Sequence, residues 1–140
     1  MIIPEYKLIF IHIPKCGGTS VEAYISNSYK LEYKFCNILQ NIEKENYILN
    51  KKSGSKALQH LTALEIKQNI NNFEKYYKFS VVRNPYDRII SEYNWYRTIK
   101  LYKSYRKLDD FLKHVQNVFK NKDFYKNLYS DHLIPQYLFV

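Results

Sequence analysis

The stretch from Leu8 to Ser20 constrains this chain more than any other part of its sequence. An apolar run stops at Pro14, a lysine and two glycines follow, and a Thr-Ser pair then opens a helical pattern. A strand, a glycine loop and a helix in this order aim several backbone N–H groups at one anion. The stretch therefore predicts an anion-binding loop, although the loop by itself also fits a plain tight turn between a strand and a helix.

The position of the lysine in this loop narrows the choice of anion. In an ATP-binding Walker A loop the lysine follows the glycines, whereas Lys15 stands before Gly17 and Gly18. The order of these residues disfavours an ordinary ATP loop.

Strands alternate with helices along the chain, which predicts an α/β fold with a parallel sheet in one domain over residues 1–140. The two clearest strands are Lys7–Ile13 and Tyr77–Val82. Ligands of such sheets bind beyond the carboxyl ends of the strands. We therefore expect Lys15–Ser20 and Arg83–Asp87, which follow these strands, to meet at one edge.

Helix-start signals occur at three places. Thr19 with Glu22, and Thr62 with Glu65, read as capping boxes, and Asn84 before a proline reads as an N-cap. The other predicted elements are a strand over Leu31–Phe35, a helix over Cys36–Tyr47, an amphipathic helix over Leu108–Phe119 and a strand beginning within Ser130–Val140.

A second group of polar residues follows the second strand. Arg83 leaves that strand, and Ser91 lies about two helical turns beyond Asn84. A guanidinium and a hydroxyl together form a good site for a phosphate monoester. The alternative is that Arg83 pairs with Asp87 or Glu92 and that Ser91 is a small residue at a helix contact.

Together the two segments resemble the two signatures of the sulfotransferases that use 3′-phosphoadenosine 5′-phosphosulfate (PAPS). The nearest type is the carbohydrate, Golgi-like sulfotransferases with their bacterial or viral homologues. The resemblance implies a P-loop-like three-layer fold with a central parallel sheet flanked by helices. It also implies further elements after Val140, so the chain reads as a compact or C-terminally truncated member. The implied PAPS-binding residues are Lys15, Cys16, Gly17, Gly18, Thr19, Ser20, Arg83 and Ser91.

The resemblance also assigns roles in transfer. Lys15 would stabilise the charge of the leaving group, and His60, just before a helix, would accept the proton of the acceptor hydroxyl or amine. His132 and Gln136 resemble a late element near the acceptor, for which a carbohydrate is expected. A structural, hydrogen-bonded histidine is the alternative for His60.

The other reactive side chains are given no catalytic role. His12 and His114 are predicted to be structural, and Cys16 to be a small loop residue, although a helix N-terminus would favour its thiolate. The linear spacing of His, Cys, Asp and Glu matches no metal-binding pattern, so no metal is expected.

The net charge of +9 favours an anionic partner, although a solvated lysine-rich surface explains it equally well. Two cysteines without a disulfide framework, and no signal peptide or membrane-spanning run, lead us to expect a cytoplasmic protein with reduced thiols. No specific nucleic-acid partner is expected. The alternative functions are a P-loop-type nucleotide kinase and a non-catalytic basic module that binds nucleic acid or acidic glycan.

Overall fold

The structure is a computed structural model of the chain. The strand predicted over Leu31–Phe35 and the helix predicted over Cys36–Tyr47 lie outside the residues that it describes. Those described residues are 1–30, 58–98, 107–124 and 130–140.

The described residues form a three-stranded sheet and four α-helices, joined by short 3₁₀ turns. No helix within these residues is long and apolar enough to cross a membrane. The elements in chain order are β1 (Ile2–Ile3), β2 (Leu8–Ile11), α1 (Gly18–Ser28), α2 (Ala63–Asn69), β3 (Tyr77–Ser80), α3 (Pro85–Thr98) and α4 (Leu108–Asn121).

The sheet has the order β1-β2-β3, with β2 at its centre. Strands β2 and β3 pair in parallel, with Leu8 opposite Tyr77 and Ile11 opposite Ser80. This pairing confirms the mixed α/β class and the parallel alignment of the two predicted strands. The short β1, which the sequence did not predict, pairs antiparallel to β2. The segments after β2 and β3 therefore leave the sheet at the same edge.

Both faces of β2 are buried, which explains why its sequence is continuously apolar rather than alternating. Ile9 and Ile11 point into one apolar cluster, which includes Leu61 and Phe139. Phe10 points the opposite way, into a second cluster with Ile25 of α1. Side chains of a strand alternate between faces, so one strand supplies both cores.

The C-terminal segment corrects one prediction. Instead of a strand, it forms two 3₁₀ turns, Ser130–Leu133 and Gln136–Leu138. Its backbone bonds to other elements rather than to a sheet: the carbonyl of Phe139 accepts from the Ala63 N–H at 2.7 Å. Leu133 packs with Tyr96 of α3 in a third apolar cluster.

Two of the three predicted helix starts are confirmed. The Thr62–Glu65 capping box is formed in both directions, and the Asn84 side chain accepts from the Tyr86 N–H at 2.9 Å. The Thr19 prediction is wrong, because α1 begins at Gly18 with Gly17 as its N-cap and no side chain capping it.

We expect Thr62→Ala to lower the free energy of unfolding by about 1 kcal/mol, because it removes the side-chain acceptor of the Glu65 N–H. Thr62→Ser keeps that acceptor and should stay close to the wild type. Urea unfolding of the three proteins measures the difference. Equal losses in both variants would show that the cap contributes nothing.

Candidate functional site

A cavity of about 410 Å³ opens at the carboxyl edge of β2 and β3. Most of the binding and catalytic residues predicted from the sequence line this cavity, namely Lys15, Gly17, Gly18, Thr19, His60, Arg83, Ser91 and His132. The other three, Cys16, Ser20 and Gln136, are not part of its lining.

The glycine loop presents open backbone to this cavity. Gly17 adopts a left-handed conformation with φ of 82°, and a Cβ built on it would meet nothing within 4 Å. No side chain caps α1. The N–H groups at its N-terminus and the helix dipole therefore favour an anion at this position. Thr19 is exposed beside them and adds a hydroxyl.

Gly18, by contrast, lies against a histidine ring. A Cβ at Gly18 would lie 2.3 Å from Nε2 of His12. The His12 ring is buried, and its Nδ1 lies 3.0 Å from Oε1 of Glu22. Glu22 therefore pairs with this ring instead of closing the capping box that the sequence predicted.

Lys15 is half-buried at the cavity wall. Its Nζ lies 5.1 Å from the centroid of the Trp95 ring, within the range of a cation–π contact. Burial lowers the pKa of Lys15, the positive charge of Arg83 adds to this effect, and the negative charge of Glu92 opposes it. Lys15 thus places an amino group beside the glycine loop, with a second cation close by.

Arg83 joins the two sequence segments that were singled out. Its side chain is exposed, and Nη1 donates to the Lys15 carbonyl at 3.3 Å. Glu92, one of its expected partners, instead lies against His132. Ser91 is half-buried and lines the same cavity. A guanidinium and a hydroxyl therefore border the cavity together with the glycine loop.

Gln136 holds this arrangement from behind. Its Oε1 accepts from the Arg83 N–H at 2.8 Å, and its Nε2 donates to the Arg83 carbonyl at 2.8 Å. The Cys16 thiol donates to the same Oε1 at 3.2 Å. Burial raises the pKa of Cys16, so the helix N-terminus does not make this thiol a thiolate.

Three buried histidines stand in a row along the cavity. The ring centroids of His12 and His60 are 5.2 Å apart, and those of His60 and His132 are 4.8 Å apart. Each Nδ1 lies 3.0 Å from a carboxylate oxygen, on Glu22, Asp131 and Glu92 respectively.

His60 is the central ring of this row. Burial lowers the pKa of His60 to about 4, against the opposing hydrogen bond to Asp131, so the imidazole is neutral near pH 7. A neutral ring that gives its Nδ1–H to a carboxylate keeps its lone pair on Nε2. In this tautomer the Gln59 amide donates to that Nε2 at 3.1 Å. Nε2 is therefore the nitrogen of His60 that accepts a proton at the cavity, and an acceptor hydroxyl would take the place of the Gln59 amide there.

Several residues of this site were missed by the sequence reasoning. Asp131, Glu92 and Trp95 are far along the chain from the side chains they contact, and the sequence carries no local signal for these contacts. Linear spacing also failed to show that His60, Asp131 and His132 each place a ligand-type atom within 4.8 Å of the others.

Comparison with known proteins gives two findings. A family model described as "Sulfotransferase family" matches residues 1–140. Carbohydrate sulfotransferase 10 of Danio rerio is 28% identical over 92 residues, which cover 66% of this chain and 23% of that relative. The chain thus spans about a quarter of the length of this curated relative. No solved structure matches significantly.

We expect Gly18→Ala to destabilise the fold by about 1–3 kcal/mol, because the new methyl group overlaps the His12 ring. Gly17→Asn is the matched control, since asparagine tolerates a left-handed backbone and the space around Gly17 is open. Chemical unfolding measures both variants. A Gly18→Ala protein as stable as the control would show that the His12 ring moves aside at no cost.

Proposed function

The chain belongs to the sulfotransferase family, and from this premise we propose that it transfers a sulfuryl group from PAPS to a hydroxyl or amine, most simply of a carbohydrate. One observation carries the proposal. The glycine loop with Lys15, the Arg83–Ser91 pair and His60 all line one cavity. PAPS has two anionic ends, a 5′-phosphosulfate and a 3′-phosphate, and the cavity offers two separate groups of donors. The carbohydrate acceptor follows the name of the Danio rerio relative.

The binding roles follow from the charges at each wall. The N–H groups of Gly17, Gly18 and Thr19 would hold the 5′ end, with hydroxyls from Thr19 and Ser20. Arg83 and Ser91 would hold the 3′-phosphate. Cys16 serves the site through its bond to Gln136, behind the lining. This division explains why Arg83 is left exposed rather than buried in an ion pair.

The chemical step needs a base and a positive charge at the leaving group. The acceptor oxygen attacks sulfur in line, its proton passes to Nε2 of His60, and the bond from sulfur to the bridging oxygen breaks. Adenosine 3′,5′-bisphosphate departs with that electron pair, and Lys15 offsets the new charge. Asp131, 3.0 Å from Nδ1, orients the ring and stabilises it once it is protonated. His132, whose ring lies next to that of His60 and lines the same cavity, would contact the acceptor.

We further propose that the sheet is the centre of a P-loop-like three-layer fold in a single domain. Apolar clusters on both faces of β2 support this arrangement.

Donor binding is tested by calorimetric titration with adenosine 3′,5′-bisphosphate. We expect the wild type to bind. Arg83→Ala should bind roughly 10- to 100-fold more weakly, because it loses a charge-assisted contact with the 3′-phosphate. Arg97→Ala is the control, because Arg97 is an exposed arginine at the other end of α3 and contacts Tyr93.

Two further titrations separate the alternative functions. Preference for ATP–Mg²⁺ over the bisphosphate would favour a nucleotide kinase. Steeply salt-dependent binding of RNA or heparin, with no competition from the bisphosphate, would favour a basic binding module.

The chemistry is tested by release of the bisphosphate from PAPS in the presence of neutral and uronic-acid-containing oligosaccharides. We expect His60→Ala to lower turnover by about 10²- to 10⁴-fold while bisphosphate binding stays within a few-fold. Lys15→Ala should lower turnover by about 10²- to 10³-fold. His114→Ala, on α4, is the control for loss of a histidine elsewhere. Full turnover by His60→Ala would refute its role as the base.

A further inference from the structure

His60, Asp131 and His132 form a compact cluster at the inner wall of the cavity. Nδ1 of His60 lies 3.0 Å from Oδ2 of Asp131, and the two imidazole rings meet edge to face with centroids 4.8 Å apart. One ligand-type atom from each residue lies within 4.8 Å of the other two. All three side chains are buried, yet both rings line the cavity.

We propose that these three residues bind a single transition-metal ion, with Zn²⁺ as the best match. We further propose that the bound ion inhibits transfer, and this second part rests on the proposed function. The ion is not needed for the sulfuryl transfer described above. It is a separate ligand that competes for the imidazole of the base.

The donor set selects the kind of metal. Two imidazoles and one carboxylate suit Zn²⁺ and Co²⁺ better than Mg²⁺ or Ca²⁺, which prefer oxygen ligands. Zinc bonds of about 2.0–2.2 Å in a tetrahedron separate neighbouring ligand atoms by roughly 3.3 Å. The pair formed by His60 and Asp131 is already close to that spacing. An inward shift of His132 would close the site, and because both rings line the cavity the fourth position would face it.

The surroundings of His132 are also those of a metal ligand. Metal-binding histidines characteristically give their second ring N–H to a carboxylate, which orients the ring. The two carboxylate oxygens of Glu92 lie 3.0 and 3.2 Å from Nδ1 of His132, so an ion would bind this ring through Nε2. Asp131 and Glu92 together supply two buried carboxylates to balance a divalent charge.

Inhibition follows because the ion and the reaction need the same imidazole. An ion held by Nδ1 of His60 and by Asp131 takes the carboxylate that orients the ring. It also leaves the proton of the neutral ring on Nε2, the nitrogen that acts as the base in the proposed reaction. The ring can then neither accept the acceptor proton nor be stabilised by Asp131. Zn²⁺ should therefore stop turnover, and a chelator should restore it.

Co²⁺ is the probe for the site itself, because tetrahedral Co²⁺ absorbs visible light far more strongly than hydrated Co²⁺. We expect metal-free, tag-free protein to give that spectrum at one equivalent and to lose it when Zn²⁺ is added. His132→Ala and Asp131→Asn should weaken Co²⁺ binding by at least 10-fold, and Glu92→Gln by about 10- to 100-fold. His132→Gln, which keeps the side-chain volume, and thermal unfolding of each variant separate ligand loss from misfolding.

Two histidine variants serve as controls. His12→Gln alters a carboxylate-paired histidine of the same cavity that lies outside the cluster, and His114→Ala alters one on α4. Both should keep the Co²⁺ spectrum. A wild type without the tetrahedral spectrum, a folded His132→Gln that binds as well as wild type, or loss of binding in His12→Gln would each overturn the site.

The site and the proposed function fail separately, because the Co²⁺ spectrum requires neither PAPS nor an acceptor. Tetrahedral Co²⁺ binding by a protein that binds no bisphosphate would support the metal site and overturn the sulfotransferase proposal. Transfer that depends on His60 but is insensitive to bound Zn²⁺ would overturn the inhibition.

Discussion

The buried guanidinium of Arg88 holds together the parts of the chain that surround the cavity. Nε donates to the carbonyl of Pro14 at 2.9 Å, Nη1 to that of Ile134 at 3.0 Å and Nη2 to that of His132 at 2.6 Å. The first carbonyl begins the glycine loop, and the other two belong to the C-terminal segment. Only arginine has enough donors in a rigid plane to satisfy three such acceptors at once. Burial lowers the pKa of Arg88, but the charge stays compensated by these bonds and by Glu92.

The three histidines in a row, His12, His60 and His132, are also buried polar groups that need partners. Buried imidazoles and carboxylates are costly unless they satisfy one another. Glu22 comes from α1, Glu92 from α3 and Asp131 from the C-terminal segment, and each is paired with a different ring. Apolar clusters alone would let these elements slide past one another. The directional histidine–carboxylate contacts fix their relative positions and so fix the walls of the cavity.

The sequence predicted best those features whose causes are local. The parallel strands follow from short apolar runs, and the caps at Thr62 and Asn84 follow from contacts within one turn. Prediction failed where a distant partner decided the outcome. Glu22 has the spacing of a capping box, but His12 claims its carboxylate. The apolar C-terminus resembles a strand, but its carbonyls accept hydrogen bonds from the Arg88 side chain instead of pairing in the sheet.

The same distinction applies to the site. Its glycine loop and its Arg83–Ser91 pair are visible in sequence because each motif is contiguous, whereas their relative placement depends on a residue remote from both. Gln136 bonds to the N–H and the carbonyl of Arg83 and to the thiol of Cys16, which lies inside the loop. A donor with two anionic ends is bound at both ends only if the glycine loop and the Arg83–Ser91 pair stay at a fixed distance from each other. In the proposed reaction, that separation is therefore set by the Gln136 amide, which lies outside the cavity lining.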